Sequence, residues 1–115
     1  MGKYLLVNAN IVNEGKVFSG DVLINGERIE KIGSQLPSGD IDKSRIFDLK
    51  GQFLIPGLID DQVHFREPGL THKGNIFTES SAAVAGGISS FMELPNTDPH
   101  ALTQEILEDK YQIGA

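Results

Sequence analysis

The chain has 115 residues, 39% hydrophobic and 23% charged, with a formal net charge of −6 and no cysteine. That is the composition of a soluble globular protein of about one small domain, and it excludes disulfides and thiolate metal sites. No apolar run approaches the roughly eighteen residues of a membrane span, the ten basic residues form no stripe that would suit nucleic acid, and Met1-Gly2-Lys3-Tyr4 has no secretory profile, so the cytoplasm is the expected compartment.

The first third reads as β-structure. Residues 4–12 form a strand with a polar break, and Asp21-Val22-Leu23-Ile24 a second. Asn25-Gly26 predicts a two-residue hairpin turn, because both positions tolerate positive φ, and Arg28 to Ile32 returns as the paired strand. Ser34 to Ser44 carries Gly, Pro, Ser and Asp and reads as a loop. Arg45 to Leu49 and Gln52 to Ile55 flank a further turn at Lys50-Gly51. The whole is expected to be a small antiparallel unit, residues 1–53.

The character changes from residue 54 onward. The apolar run Phe53 to Ile59 passes without a break into Asp60-Asp61-Gln62-Val63-His64-Phe65-Arg66-Glu67-Pro68-Gly69. A buried parallel strand that delivers chemistry at its C-terminal end reads this way. In an extended chain, side chains two apart share a face at intervals of about 6.6 Å. Asp60, Gln62, His64 and Arg66 are therefore expected to point one way, as a site for a metal, an anion or both. Gly74 to Gly86 follows as a helix, with Ile76, Ser80, Ala83 and Val84 near one face. Ile88 to Leu94 is a short buried strand stopped by Pro95. Thr103 to Ile113 is a second helix, with Thr103 as its cap and Glu105 in its first turn; Leu102, Ile106, Leu107 and Tyr111 supply its apolar stripe. This alternation makes residues 54–115 two βα units of a parallel barrel or doubly wound sheet.

Two motifs carry a resemblance. Pro56-Gly57, Ile59-Asp60, His64, Arg66 and Pro68-Gly69 match, in order and spacing, the end of the first barrel strand in the cyclic amidohydrolases, the dihydroorotases above all. Ala85-Gly86-Gly87-Ile88-Ser89-Ser90 and Leu94-Pro95-Asn96-Thr97 match the second strand. The resemblance covers nearly the whole chain and implies an α/β fold: a small β-domain followed by the first two units of a (β/α)8 barrel. Such a barrel needs roughly 200 residues or more, so one is not complete within 115 residues.

The resemblance also implies chemistry. Dihydroorotases interconvert dihydroorotate and N-carbamoyl-L-aspartate in pyrimidine synthesis, using zinc to activate water and polarise a ring amide. His64 matches a metal ligand. The family's other histidine of this pair falls on Gln62, whose neutral amide oxygen is a weak zinc ligand, so one or two ions are both compatible. Asp60 is a weak ligand or a support. Arg66 and Asn96 match the residues that hold the substrate carboxylate, and a planar guanidinium fork suits that role. The general base and remaining ligands of the family belong to later strands, so 115 residues alone are expected to be inactive. Implied partners are the small-molecule substrate, further copies of the intact protein and, in one reading, aspartate carbamoyltransferase. Two other readings stay open: a non-catalytic scaffold, favoured by Gln62, and a hydantoinase- or allantoinase-like cyclic amidase, disfavoured by Arg66. His72 and His100 lie in turn-rich segments and read as surface histidines. Glu93 is unassigned, facing the interior or supporting Arg66.

Overall fold

Eleven consecutive residues that can stay extended, Lys3–Asn13, make the longest strand, β1, and organise the amino-terminal half. The computed structural model describes residues 2–115 and divides into two units, one up to Pro56 and one from Gly57.

In the first unit β1 pairs antiparallel with β2 (Lys16–Asn25), which pairs antiparallel with β3 (Arg28–Gly33). On its other side β1 pairs with β4 (Ile46–Asp48) and, further along, β5 (Phe53–Leu54). Both of these pairings are parallel. The sheet is therefore mixed, not purely antiparallel as the hairpin signals suggest. The long segment from Ser34 to Arg45 separates β3 from β4 and carries the chain back to the start of β1. That segment ends in a short 3-10 turn, Lys43–Arg45, capped by Asp42.

Two turns differ from expectation. Glu14-Gly15, with φ of 49° and 73°, closes a β1–β2 hairpin that the sequence pattern does not announce. At the next hairpin Asn25 pairs with Arg28, so the turn is centred on Gly26-Glu27, one residue later than Asn25-Gly26. Gly26 alone supplies the positive φ there, 59°.

The polar break in β1 is a bulge. Register slips between Leu6 and Ala9, and Asn8 sits at φ 57°. The buried Asp21 carboxylate stabilises it: Oδ1 accepts the Asn8 amide at 2.9 Å and Oδ2 accepts the Leu36 amide at 2.9 Å. Leu5, Ala9, Ile11 and Val22 are buried, and Leu6, Ile24, Leu49 and Leu54 pack against the Ala9–Ile11–Val22 cluster. Asp21→Ala would strand two amide donors, and a loss of about 3 kcal/mol is expected from the missing charged hydrogen bonds. The denaturant midpoint of the intact protein measures it.

The second unit holds β6 (Leu58–Val63), α1 (Ile76–Ala85), β7 (Ile88–Glu93) and α2 (Gln104–Gly114). β6 and β7 are parallel neighbours with α1 as the crossover, as a βαβ unit requires. The expected strand Phe53–Ile59 is not continuous. Phe53–Leu54 belongs to the first sheet and β6 begins only at Leu58. Pro56, with no amide to donate, interrupts the ladder between them. Nor is β6 buried on both faces: Leu58 and Ile59 are exposed. Gly57 allows the close approach that starts the pairing, since a Cβ there would overlap the Ser89 side chain.

Both helices begin on side-chain caps. Asn75 Oδ1 accepts the Thr78 amide at 2.8 Å and Thr78 Oγ1 reciprocates on the Asn75 amide at 3.4 Å, a capping box. Thr103 Oγ1 accepts the Ile106 amide at 3.3 Å. The expected apolar stripe of α2 is displaced. Leu102, Leu107 and Tyr111 are exposed, and the residue α2 buries is Lys110.

Candidate functional site

His64, Arg66 and Asn96 lie on the segments that leave β6 and β7 at the same end of a parallel pair, and Asp60 and Gln62 lie on β6 itself. Asp60 pairs with Phe91, but Val63 pairs with Glu93, so β6 holds one extra residue between them. That bulge resets the two-residue alternation. Asp60, Gln62, His64 and Arg66 therefore do not form the single regular face that an unbroken strand would give. Asp60 Oδ1 accepts the Gln62 amide at 3.1 Å and is tied to its own turn. Arg66 adds a second break, with φ of 72°.

His64 and Asn96 do come together. His64 Nδ1 lies 2.9 Å from Asn96 Oδ1. A carbonyl oxygen only accepts, so this pairing places the ring proton on Nδ1 and leaves the Nε2 lone pair free. An imidazole oriented through one nitrogen with the other free is the arrangement a metal-ligating histidine adopts. Of a zinc ion's ligands, His64 is the one that fits on these residues. Among the described residues no three His, Cys, Asp or Glu side chains gather as a metal-holding group.

Arg66 is half-buried, and neither of the two ion pairs among the described residues involves it. A guanidinium presents a planar fork of donors that suits a carboxylate. Asn96, with Oδ1 committed to His64, retains its amide NH₂ as a donor. His72 and His100 are exposed on loops.

The two loops are strapped to each other. The Asp98 amide donates to Pro68 O at 3.1 Å, and Gly69, at φ 85°, lies so close that a Cβ would strike the Asp98 carbonyl. The buried Thr97 hydroxyl donates to Pro99 O at 2.9 Å. Glu67 Oε2 accepts the Ile76 amide at 2.8 Å, anchoring the β6–α1 loop to the first turn of α1. Phe65 is buried and meets Phe91 edge-on, ring centroids 4.6 Å apart.

Lys110 is the participant that sequence reasoning missed, and Glu93 the one to which it gave no role. Glu93 Oε1 accepts the Phe65 amide at 3.2 Å, Glu93 Oε2 pairs with the Lys110 ammonium, and Lys110 Nζ donates to Leu94 O at 3.3 Å. Burial pushes the Lys110 pKa down from its ordinary value. A carboxylate between Met92 and Leu94 at the end of a short strand was the available signal for Glu93. Nothing in the spacing of α2 pointed to Lys110 as its partner.

A small strand-rich unit followed by a parallel βαβα unit, with Arg and Asn after adjacent strands, is the opening arrangement of the cyclic amidohydrolases. The L-hydantoinase of Arthrobacter aurescens superposes with a TM-score of 0.87 at 26% identity, over 99% of this chain and 25% of that one. A dihydropyrimidinase from Brevibacillus agri gives 0.79 at 29% identity, over 96% and 24%. No protein-family model matches the chain. Among curated proteins, the dihydroorotase of Carboxydothermus hydrogenoformans is 45% identical over 97 residues, 83% of this chain and 22% of the relative. That of Methanothermobacter thermautotrophicus is 49% identical over 80 residues, 70% and 19%. Over the matched residues the chain belongs with the dihydroorotases. It spans 19% to 24% of the length of these curated relatives.

Proposed function

We propose that the intact protein is a dihydroorotase-like hydrolase, opening and closing the ring between dihydroorotate and N-carbamoyl-L-aspartate. The observation that carries this reading is the placing of Arg66 and Asn96 on neighbouring loops after adjacent parallel strands β6 and β7. A forked cation and an amide donor at one sheet edge suit a substrate carboxylate. In this reading the β6–α1–β7–α2 unit opens a (β/α)8 barrel, the residues up to Pro56 form its β-domain and those from Gly57 its first two units. His64 would be one ligand of a zinc ion, which when bound would supply polarisation of the ring carbonyl and a lowered pKa for water. Asn96 holds the His64 ring, and Arg66 draws the substrate carboxylate to the strand ends. Residues 1–115 by themselves are proposed to be inactive, and the intact protein to be a cytoplasmic homo-oligomer.

The test is zinc content together with ring opening of dihydroorotate by the intact protein. Zinc-dependent turnover supports the reading; a metal-free, inactive protein overturns it. Gln62 favours a second reading, a non-catalytic scaffold for aspartate carbamoyltransferase, and binding of that enzyme by an inactive, metal-free protein would support it. Likeness to the hydantoinases favours a third, in which a ring amide without a carboxylate is the better substrate.

Gln62 also gives a prediction. It is exposed, and its amide is a poor zinc donor beside an imidazole. Gln62→His in the intact protein is expected to raise zinc affinity by about tenfold or more, in line with the cost of perturbing a metal's surroundings. Competition against a chelator measures it, and an unchanged affinity would place Gln62 away from the metal.

A further inference from the structure

We propose that Glu93 is a positioning residue for the His64–Arg66 turn: its carboxylate, held by Lys110, anchors the Phe65 amide from which the two site residues diverge. The inference rests on the reading of His64 and Arg66 as site residues and adds a group that touches neither zinc nor substrate.

Three observations converge on it. The turn after β6 is held against its own preference, because Arg66 is a non-glycine residue at φ 72°. Such a conformation persists only where the surroundings over-determine it. The constraints nearest Arg66 include the Phe65 ring against Phe91, the Leu70 amide on Arg66 O at 3.0 Å, and the Phe65 amide on Glu93 Oε1 at 3.2 Å. Glu93 pairs with Val63 in the strand register, and its carboxylate reaches the amide two residues further on, at Phe65.

The second observation is the ion pair itself. The Lys110 and Glu93 side chains are 8% and 11% exposed. Burying two charges is costly, and well-packed apolar residues would serve stability as well or better. The third is where the remaining hydrogen bonds go. Glu93 reaches the segment that carries His64 and Arg66. Lys110 reaches Leu94 O, two residues before Asn96. One pair therefore fixes both segments that meet in the site, from helix α2 at the side.

The decisive comparison uses two double variants of the intact protein, both free of buried charge. E93Q/K110M keeps an oxygen that accepts the Phe65 amide; E93M/K110M fills the same space without one. Selective ¹⁵N-phenylalanine labelling reads the Phe65 amide proton shift and its hydrogen exchange, with neither zinc nor substrate needed. Dihydroorotate kinetics and thermal melts complete the set. Expected is a Phe65 amide near wild type in E93Q/K110M. In E93M/K110M the amide should move upfield and exchange faster, and KM should rise by about tenfold relative to E93Q/K110M, as a displaced binding group would cause. One shared Phe65 shift and one shared KM for the two variants would overturn the proposal, whatever their melting temperatures. A Phe65 amide that responds as expected in a protein with no ring-opening activity would support the anchor and count against the proposed activity.

Discussion

His64→Ala is expected to strip the intact protein of zinc and to lower kcat/KM by about three orders of magnitude or more, the equivalent of the several kcal/mol that a bound metal contributes to the transition state. The expectation follows from the ring's hydrogen bond. With Nδ1 donating to Asn96 Oδ1 at 2.9 Å, Nε2 is the free donor atom and its direction is set. Alanine removes the donor and leaves Asn96 without its partner. The residue is exposed, so the fold loses little packing, and the melting temperature should stay close to that of wild type when both are compared free of metal. A companion variant separates direct ligation from orientation. Asn96→Ala keeps the imidazole but frees it to rotate, and a loss of about 10- to 100-fold in zinc affinity is expected, measured without substrate so that any role of Asn96 in binding it is excluded. Metal analysis of the purified variants decides the matter. Unchanged zinc in His64→Ala would put the metal on other residues.

Much of this arrangement was legible in the residues themselves. The hairpin-rich start, the two βα units and the helix cap at Thr103 follow from local rules: turn residues, apolar periodicity and capping side chains act over a few positions. What the sequence hid is non-local or irregular. The parallel pairing of β4 and β5 to β1 depends on where a long loop returns, and no residue of that loop encodes the direction. The bulge between Asp60 and Val63 breaks the alternation on which the one-face argument relied. A strand rule cannot anticipate an extra residue, because the bulged residues, Asp61 and Gln62, have no distinctive composition. The contact between His64 and Asn96 spans 32 positions and was approached only through the separate places of each at a strand end. Lys110 is the clearest limit. A lysine within a helix reads as solvated by default, and the Glu93 carboxylate and the Leu94 carbonyl across the packing interface make its burial tolerable.

Arg66→Met is expected to weaken dihydroorotate binding by about 1.5–3 kcal/mol, the worth of a hydrogen bond to a charged group, and so to raise KM by about 10- to 150-fold. Methionine keeps most of the side chain's reach and apolar stem while removing the fork. Arg66 sits at φ 72°, and any residue with a Cβ meets the same backbone strain there, so that cost cancels between arginine, methionine and lysine. Arg66→Lys restores the charge without the planar pair of donors and should recover only part of the loss. The kcat value should change little, because a carboxylate remote from the reacting carbonyl is held equally in the ground state and the transition state. A cyclic substrate of the same ring without the carboxylate supplies the control. Its KM should be indifferent to Arg66→Met, since it offers the guanidinium nothing to grip. If both substrates lose affinity alike, Arg66 shapes the loop and does not bind the carboxylate. If neither does, the anion is held elsewhere, and the distinction from hydantoinase-like chemistry no longer rests on this residue.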